Sequence, residues 1–115
     1  MVGRTVWAVN PRPHMNLDGA REHGRLVVAF EGKISAFRIT QMQEMVHAWM
    51  EKTEEEDYLL LGGNMMLNVI AFSCFLERHG KVQVLVYGQQ SDSYELRELT
   101  RSSLLGPIAE KRQTA

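Results

Sequence analysis

The sequence has little that would hold a fold together other than a core. One cysteine, Cys74, stands among 115 residues, which excludes an intramolecular disulfide. Its apolar surroundings read as the site of a small buried hydrophobe rather than a reactive thiol. An excess of either charge is missing, since 13 Lys and Arg face 14 Asp and Glu for a net charge of −1. General DNA or RNA binding is therefore not expected, because a basic surface supplies most of that affinity. No apolar run is long enough for a bilayer; the longest, Met65 to Leu76, is interrupted by Asn68 and Ser73. No apolar core follows Met1-Val2-Gly3-Arg4, so no signal peptide is expected and the protein reads as cytoplasmic. His14, His23, His47 and His79 form no i, i+4 pair and share no zinc spacing with Cys74, so no metal is expected. Ser73 and Cys74 lack a G-x-S-x-G elbow, which argues against a nucleophilic hydrolase, and no catalytic residue or cofactor is assigned.

What is present is the composition of an ordinary globular chain, 44% hydrophobic and 23% charged. The length fits a single domain, expected over residues 1–100, with residues 101–115 as a flexible tail carrying Gly106-Pro107. Thr5–Val9 is a β-branched and aromatic run stopped by Asn10-Pro11-Arg12-Pro13, and a polar loop runs on to Gly24. Arg25–Phe30 reads as a second strand. From about Ser35 the period changes to three and four. Ile39, Met42, Met45, Val46, Trp49 and Met50 then share one helical face. The acidic run Glu54-Glu55-Glu56-Asp57 reads as a solvated connector. Tyr58–Leu61 is a short apolar strand, and a helix from about Asn64 to Arg78, apolar nearly all round, is expected to be buried. His79-Gly80 supplies its C-cap. Val82, Val84 and Val86 alternate along Lys81–Tyr87, and Tyr94–Leu99 is expected to return as a hairpin strand rather than a helix.

The element order is β-β-α-β-α-β-β, which implies an α/β fold: a small mixed sheet with a Rossmann-like core and antiparallel edge strands. Ligands on such sheets sit beyond the carboxyl ends of strands, at helix N-termini. That location holds Gly62, Gly63 and Asn64, with Asn68 one turn further on, and it suits a small anionic ligand. A tight turn with Asn64 as N-cap accounts for the same residues without a ligand. No lysine follows the glycines, and neither a Walker A loop nor a G-x-G-x-x-G pattern is present. His14, in the first long loop, is the one candidate to join them. Methionine adapts to partners, and Met42, Met45 and Trp49 are candidate interface residues of a homo-oligomer joined through the first helix or the edge strands.

The stretch Asp57-Tyr-Leu-Leu-Leu-Gly-Gly-Asn64, with Leu67-Asn68 and Leu76-Glu-Arg-His79-Gly80-Lys-Val-Gln-Val-Leu-Val-Tyr87, resembles an uncharacterised family of small tailed-bacteriophage proteins. That family carries a D-Y-L-x-L-x-G-N strand-to-helix turn, and the likeness spans about residues 22–99. It implies a phage origin and a hairpin after the H-G pair, and it brings no catalytic residues. Gly24-Arg25-Leu26 and the elements after it also resemble STAS domains, which carry a phosphorylatable Ser or Thr at the start of the helix after the central strand. Gly63-Asn64 stand at that position, so the switch residue is missing. The leading expectation is a non-enzymatic phage accessory protein in the host cytoplasm, binding itself, a host protein or a small anion. The alternatives are a nucleotide-binding or nucleotide-processing enzyme using the Gly62-Gly63-Asn64 turn, a STAS-like regulator, and a virion component.

Overall fold

A computed structural model describes residues 3–13, 15–35, 37–88 and 90–104. The strands are β1 (Thr5–Ala8), β2 (Arg25–Val28), β3 (Tyr58–Leu60), β4 (Lys81–Gly88) and β5 (Ser93–Thr100). The helices are α1 (Ile39–Met50) and α2 (Met65–His79), and a 3-10 helix spans Asp18–His23. They form one five-stranded sheet in the order β2-β1-β3-β4-β5. β1 pairs in parallel with both β2 and β3, β3 in parallel with β4, and β4 antiparallel with β5. The α/β class and the mixed sheet agree with the sequence, and residues 93–100 are a strand of the expected hairpin.

One edge differs from expectation. β2 lies parallel to β1, not antiparallel, so a single antiparallel strand, β5, borders the sheet. The cause is the length of the connection. Two antiparallel neighbours need only a tight turn, whereas residues 9–24 are long enough for a crossover. That crossover carries the 3-10 helix over the face opposite α1 and α2. Right-handed connections require the separation: the chain steps one way from β1 to β2, then back past β1 to β3, and so must change faces.

The two faces are unequal. On the helical face, Trp7, Leu59, Val82 and Val84 meet Met42, Val46 and Trp49 of α1 and Leu67, Ala71 and Phe75 of α2. Residues 42, 46, 49 and 50 are the buried stripe of α1, as their spacing predicts. Trp49 packs edge-on against Trp7 and Phe30, with ring centroids 5.7 and 5.5 Å apart. Its indole N–H is the one buried side-chain polar atom without a partner among the described residues. On the opposite face, Val6, Tyr58, Leu60 and Leu85 are covered by Ala20 and by Met15, Leu17 and Tyr94.

Both ends of α2 follow the sequence. Asn64 Oδ1 accepts from the Leu67 N–H, and Gly80 at φ 79° closes the other end with its N–H on Leu76 O. Arg101 adds a guanidinium bond to Glu77 O at 2.6 Å, a cation where the last carbonyls are unpaired. The helix is not buried all round, however. Met65 is 77% exposed and Val69 51%, because α2 turns Leu67, Ala71 and Phe75 to the sheet and leaves Val69, Ser73 and Glu77 on its solvent side. The acidic run also divides: Glu54, Glu55 and Glu56 are exposed, but Asp57 is buried at 6%. Residues 101–104 form a helical turn, while residues 105–115 of the expected tail lie outside the described residues.

Candidate functional site

From β1 the chain goes one way to β2, and the strand on the other side of β1 is β3. The carboxyl ends of β1 and β3 therefore part around a crevice, the place where doubly wound sheets of this order hold ligands. Three loops meet there: the one after β1, beginning at Asn10; the one after β2, through Gly32 to Ile34; and the turn Leu61–Asn64 after β3.

Asparagine side chains lash these loops together. Asn10, 7% exposed, donates from Nδ2 to Phe30 O at 2.8 Å and to Gly32 O at 3.1 Å, and accepts the Asn64 N–H at 3.1 Å. Asn64 donates to Ile34 O at 2.7 Å while its Oδ1 caps α2. Asn68 accepts the Gly62 N–H at 2.8 Å and donates to Gly62 O and Asn64 O at 2.7 and 2.6 Å. An amide side chain offers both a donor and an acceptor, which is what a site mixing backbone N–H and C=O groups needs. Gly63 has φ +84°, and a Cβ there would stand 1.8 Å from Asn10 O, so no other residue fits without backbone movement.

Above this floor opens a cleft of about 630 Å³. Asn10, Gly63 and Asn64 line its base, Ile34, Met65 and Met66 give it an apolar side, and Pro11 and Pro13 stiffen its rim. Arg12 and Lys33 bring two cations, and no acidic side chain lines it among the described residues. Neither cation has a carboxylate within 4.0 Å among the described residues. The backbone N–H groups of Gly63, Met65 and Met66 have no partner among the described residues, whereas those of Gly62, Asn64 and Leu67 are taken by side-chain oxygens. Free amides at the start of a long helix favour negative charge.

The structure brings Gly62, Gly63, Asn64 and Asn68 together as the sequence suggested, but only Gly63 and Asn64 face the cleft. Gly62 and Asn68 build the turn. His14 lies outside the described residues. Asn10, Arg12, Lys33 and Ile34 were missed. The available signal was positional, because a switch point has two flanking strand ends and Asn10 follows the other one. Of the interface candidates, Met42 and Trp49 are buried in the core at 0% and 5%, and Met45 is partly buried against it. This face of α1 is used up within the chain and offers a second copy almost nothing.

A second concavity of about 540 Å³ lies between α1 and α2 on the solvent side, where Cys74, Ser73, His47 and Met50 meet the Arg78–Glu51 ion pair at 3.2 Å. Burial pushes the Cys74 thiol above its ordinary range, away from the reactive thiolate. Among the described residues no helix is long and apolar enough to cross a membrane.

The model of the phage Pam3 gp32-like protein family matches residues 5–100. The chain belongs to that family. The matched segment runs from the first residue of β1 to the last of β5, so the family unit is the five-stranded domain with its cleft. The resemblance to a small phage family read from the Asp57–Asn64 turn is thereby shown. No curated protein and no solved structure matches the chain.

Proposed function

We propose that this member of the phage Pam3 gp32-like family is a non-enzymatic accessory protein of the host cytoplasm that binds a small phosphate- or carboxylate-bearing ligand in the switch-point cleft. The observation that carries the reading is the charge asymmetry of that cleft: Arg12, Lys33 and open amides on its walls, with no carboxylate opposing them among the described residues. Neutral asparagines hold its floor, so the construction adds no negative charge to repel an anion.

The test is an amide NMR titration with inorganic phosphate and, separately, citrate. The expected result is saturable shifts at Gly63, Met65 and Met66, at a Kd of about 1 mM or tighter, equivalent to roughly −4 kcal/mol. The double variant Arg12→Ala/Lys33→Ala should lose them. Shifts spread over the surface, or equal in the double variant, would remove the proposal.

A further inference from the structure

Of the two borders of the sheet, β2 is four residues long and β5 is eight. Short edge strands protect themselves from pairing; a long one presents its outer N–H and C=O row to whatever fits. β5, Ser-Tyr-Glu-Leu-Arg-Glu-Leu-Thr, contains neither proline nor glycine, and Glu95 through Glu98 are exposed along it. No backbone group of residues 93–99 bonds anything beyond β4 among the described residues, except that Leu96 O accepts from the Arg97 guanidinium at 2.8 Å.

The strand's charges say what would pair with it. Two copies related by a two-fold axis perpendicular to the sheet pair antiparallel, and the axis sets one residue opposite itself. Centring on Glu95, Arg97 or Glu98 places like charges face to face, which is destabilising. Centring on Leu96 sets Leu96 against its counterpart and Glu95 against Arg97 of the second copy, twice. Glu95 and Arg97 pair with Val86 and Val84 of β4, so they share one face of the sheet, where they already bond each other at 2.6 Å. In the paired form each carboxylate would meet an arginine both along its own strand and across the axis. Leu96, 39% exposed, would be covered on the other face.

We propose that a second copy of this chain is the partner of β5, forming a dimer with one continuous ten-stranded sheet centred on Leu96. The arrangement leaves the cleft free, since β5 and the switch point are separated by β3 and β4.

Sedimentation equilibrium over a concentration series tests it with four proteins. The wild type should approach dimer mass with rising concentration. Glu95→Arg and Arg97→Glu should each weaken association by about tenfold or more, since each makes two like-charge oppositions. An equimolar mixture of the two single variants should restore a dimer, because every cross-strand pair is then opposite in sign. The double variant Glu95→Arg/Arg97→Glu should also dimerise. Thermal melts of all four show whether each is folded. A wild type that stays monomeric at every concentration overturns the proposal, as do single variants that dimerise like the wild type or a mixture that fails to.

Discussion

At the amino ends of the parallel strands, Asp57 gathers three donors: the Glu54 N–H at 2.9 Å, the Trp7 indole at 2.8 Å and the Thr5 N–H at 3.3 Å. Around it Arg4 meets Glu56 and the Tyr58 hydroxyl, and Lys81 lies within 4.0 Å of Glu55, Glu56 and Glu98. At the carboxyl ends, Asn10, Asn64 and Asn68 do the corresponding work without a charge, and the cations beside them, Arg12 and Lys33, have no acidic neighbour among the described residues. Both ends tie loops to strands with buried side-chain hydrogen bonds. The amino end receives N–H donors at Asp57, which a carboxylate satisfies; the carboxyl end mixes N–H and C=O groups, which an amide satisfies and a carboxylate does not. The electrostatic consequence is that one end is neutralised by its own ion pairs and the other, among the described residues, keeps two cations without carboxylate partners, which is the basis of the proposed anion site.

The severest test of the asparagine end is Gly63→Ala. It forces a Cβ against Asn10 O at a left-handed φ and is expected to cost about 3 kcal/mol or more in a urea melt. Gly62→Ala meets only the flexible tip of Met15 and should cost about 1 kcal/mol, so the difference isolates the backbone contact. Next come the two isosteric exchanges. Asp57→Asn puts an amide donor where three donors converge, and Asn10→Asp puts a carboxylate against Phe30 O and Gly32 O. Each should lose roughly 2–3 kcal/mol. If either is neutral, the matching of charge to loop chemistry is wrong at that end.

Removing the exposed cations sharpens the contrast from the other side. Arg12→Ala/Lys33→Ala should change stability by less than about 0.5 kcal/mol while abolishing phosphate shifts. Arg4→Ala at the opposite end should leave those shifts intact. The smallest effect concerns His79, at the foot of α2. Burial, and then Arg78 beside it, lower its pKa below the ordinary 6.5, while Glu55 and Asp57 oppose the shift. Thr53 Oγ1 donates to Met50 O, so it accepts from His79 Nε2 at 3.0 Å. Since the unfolded chain takes up this proton first, the contribution is full above pH 6.5 and is lost as pH falls towards the folded value. A slight fall in melting temperature below that pH, absent in His79→Gln, would confirm the sign.

Periodicity made α1 legible, because it buries one regular face, whereas β4 was legible from its alternating valines although it buries residues 82–85 on both faces of the sheet and leaves Val86 exposed. The N-cap at Asn64 and the glycine stop at Gly80 were legible for the same local reason. Asp57 was misplaced because three exposed glutamates precede it and nothing in its neighbourhood reveals the Trp7 indole, fifty residues away. Met42 and Trp49 were offered to a partner because a pattern shows which face of a helix is apolar, never what covers it. Phe30, Trp7 and Phe75 cover it here.

The local sequence by itself determined the α/β class, the extents of the helices and strands to within a few residues, and the glycine turn after β3, since each depends on neighbours a few residues apart. Only the tertiary structure decided that β2 runs parallel to β1, that Asn10 closes the switch point, and that Arg12 and Lys33 share a cleft with the start of α2. Those outcomes join residues twenty to more than fifty positions apart, and burial, crossover handedness and hydrogen-bond satisfaction across the sheet set them together.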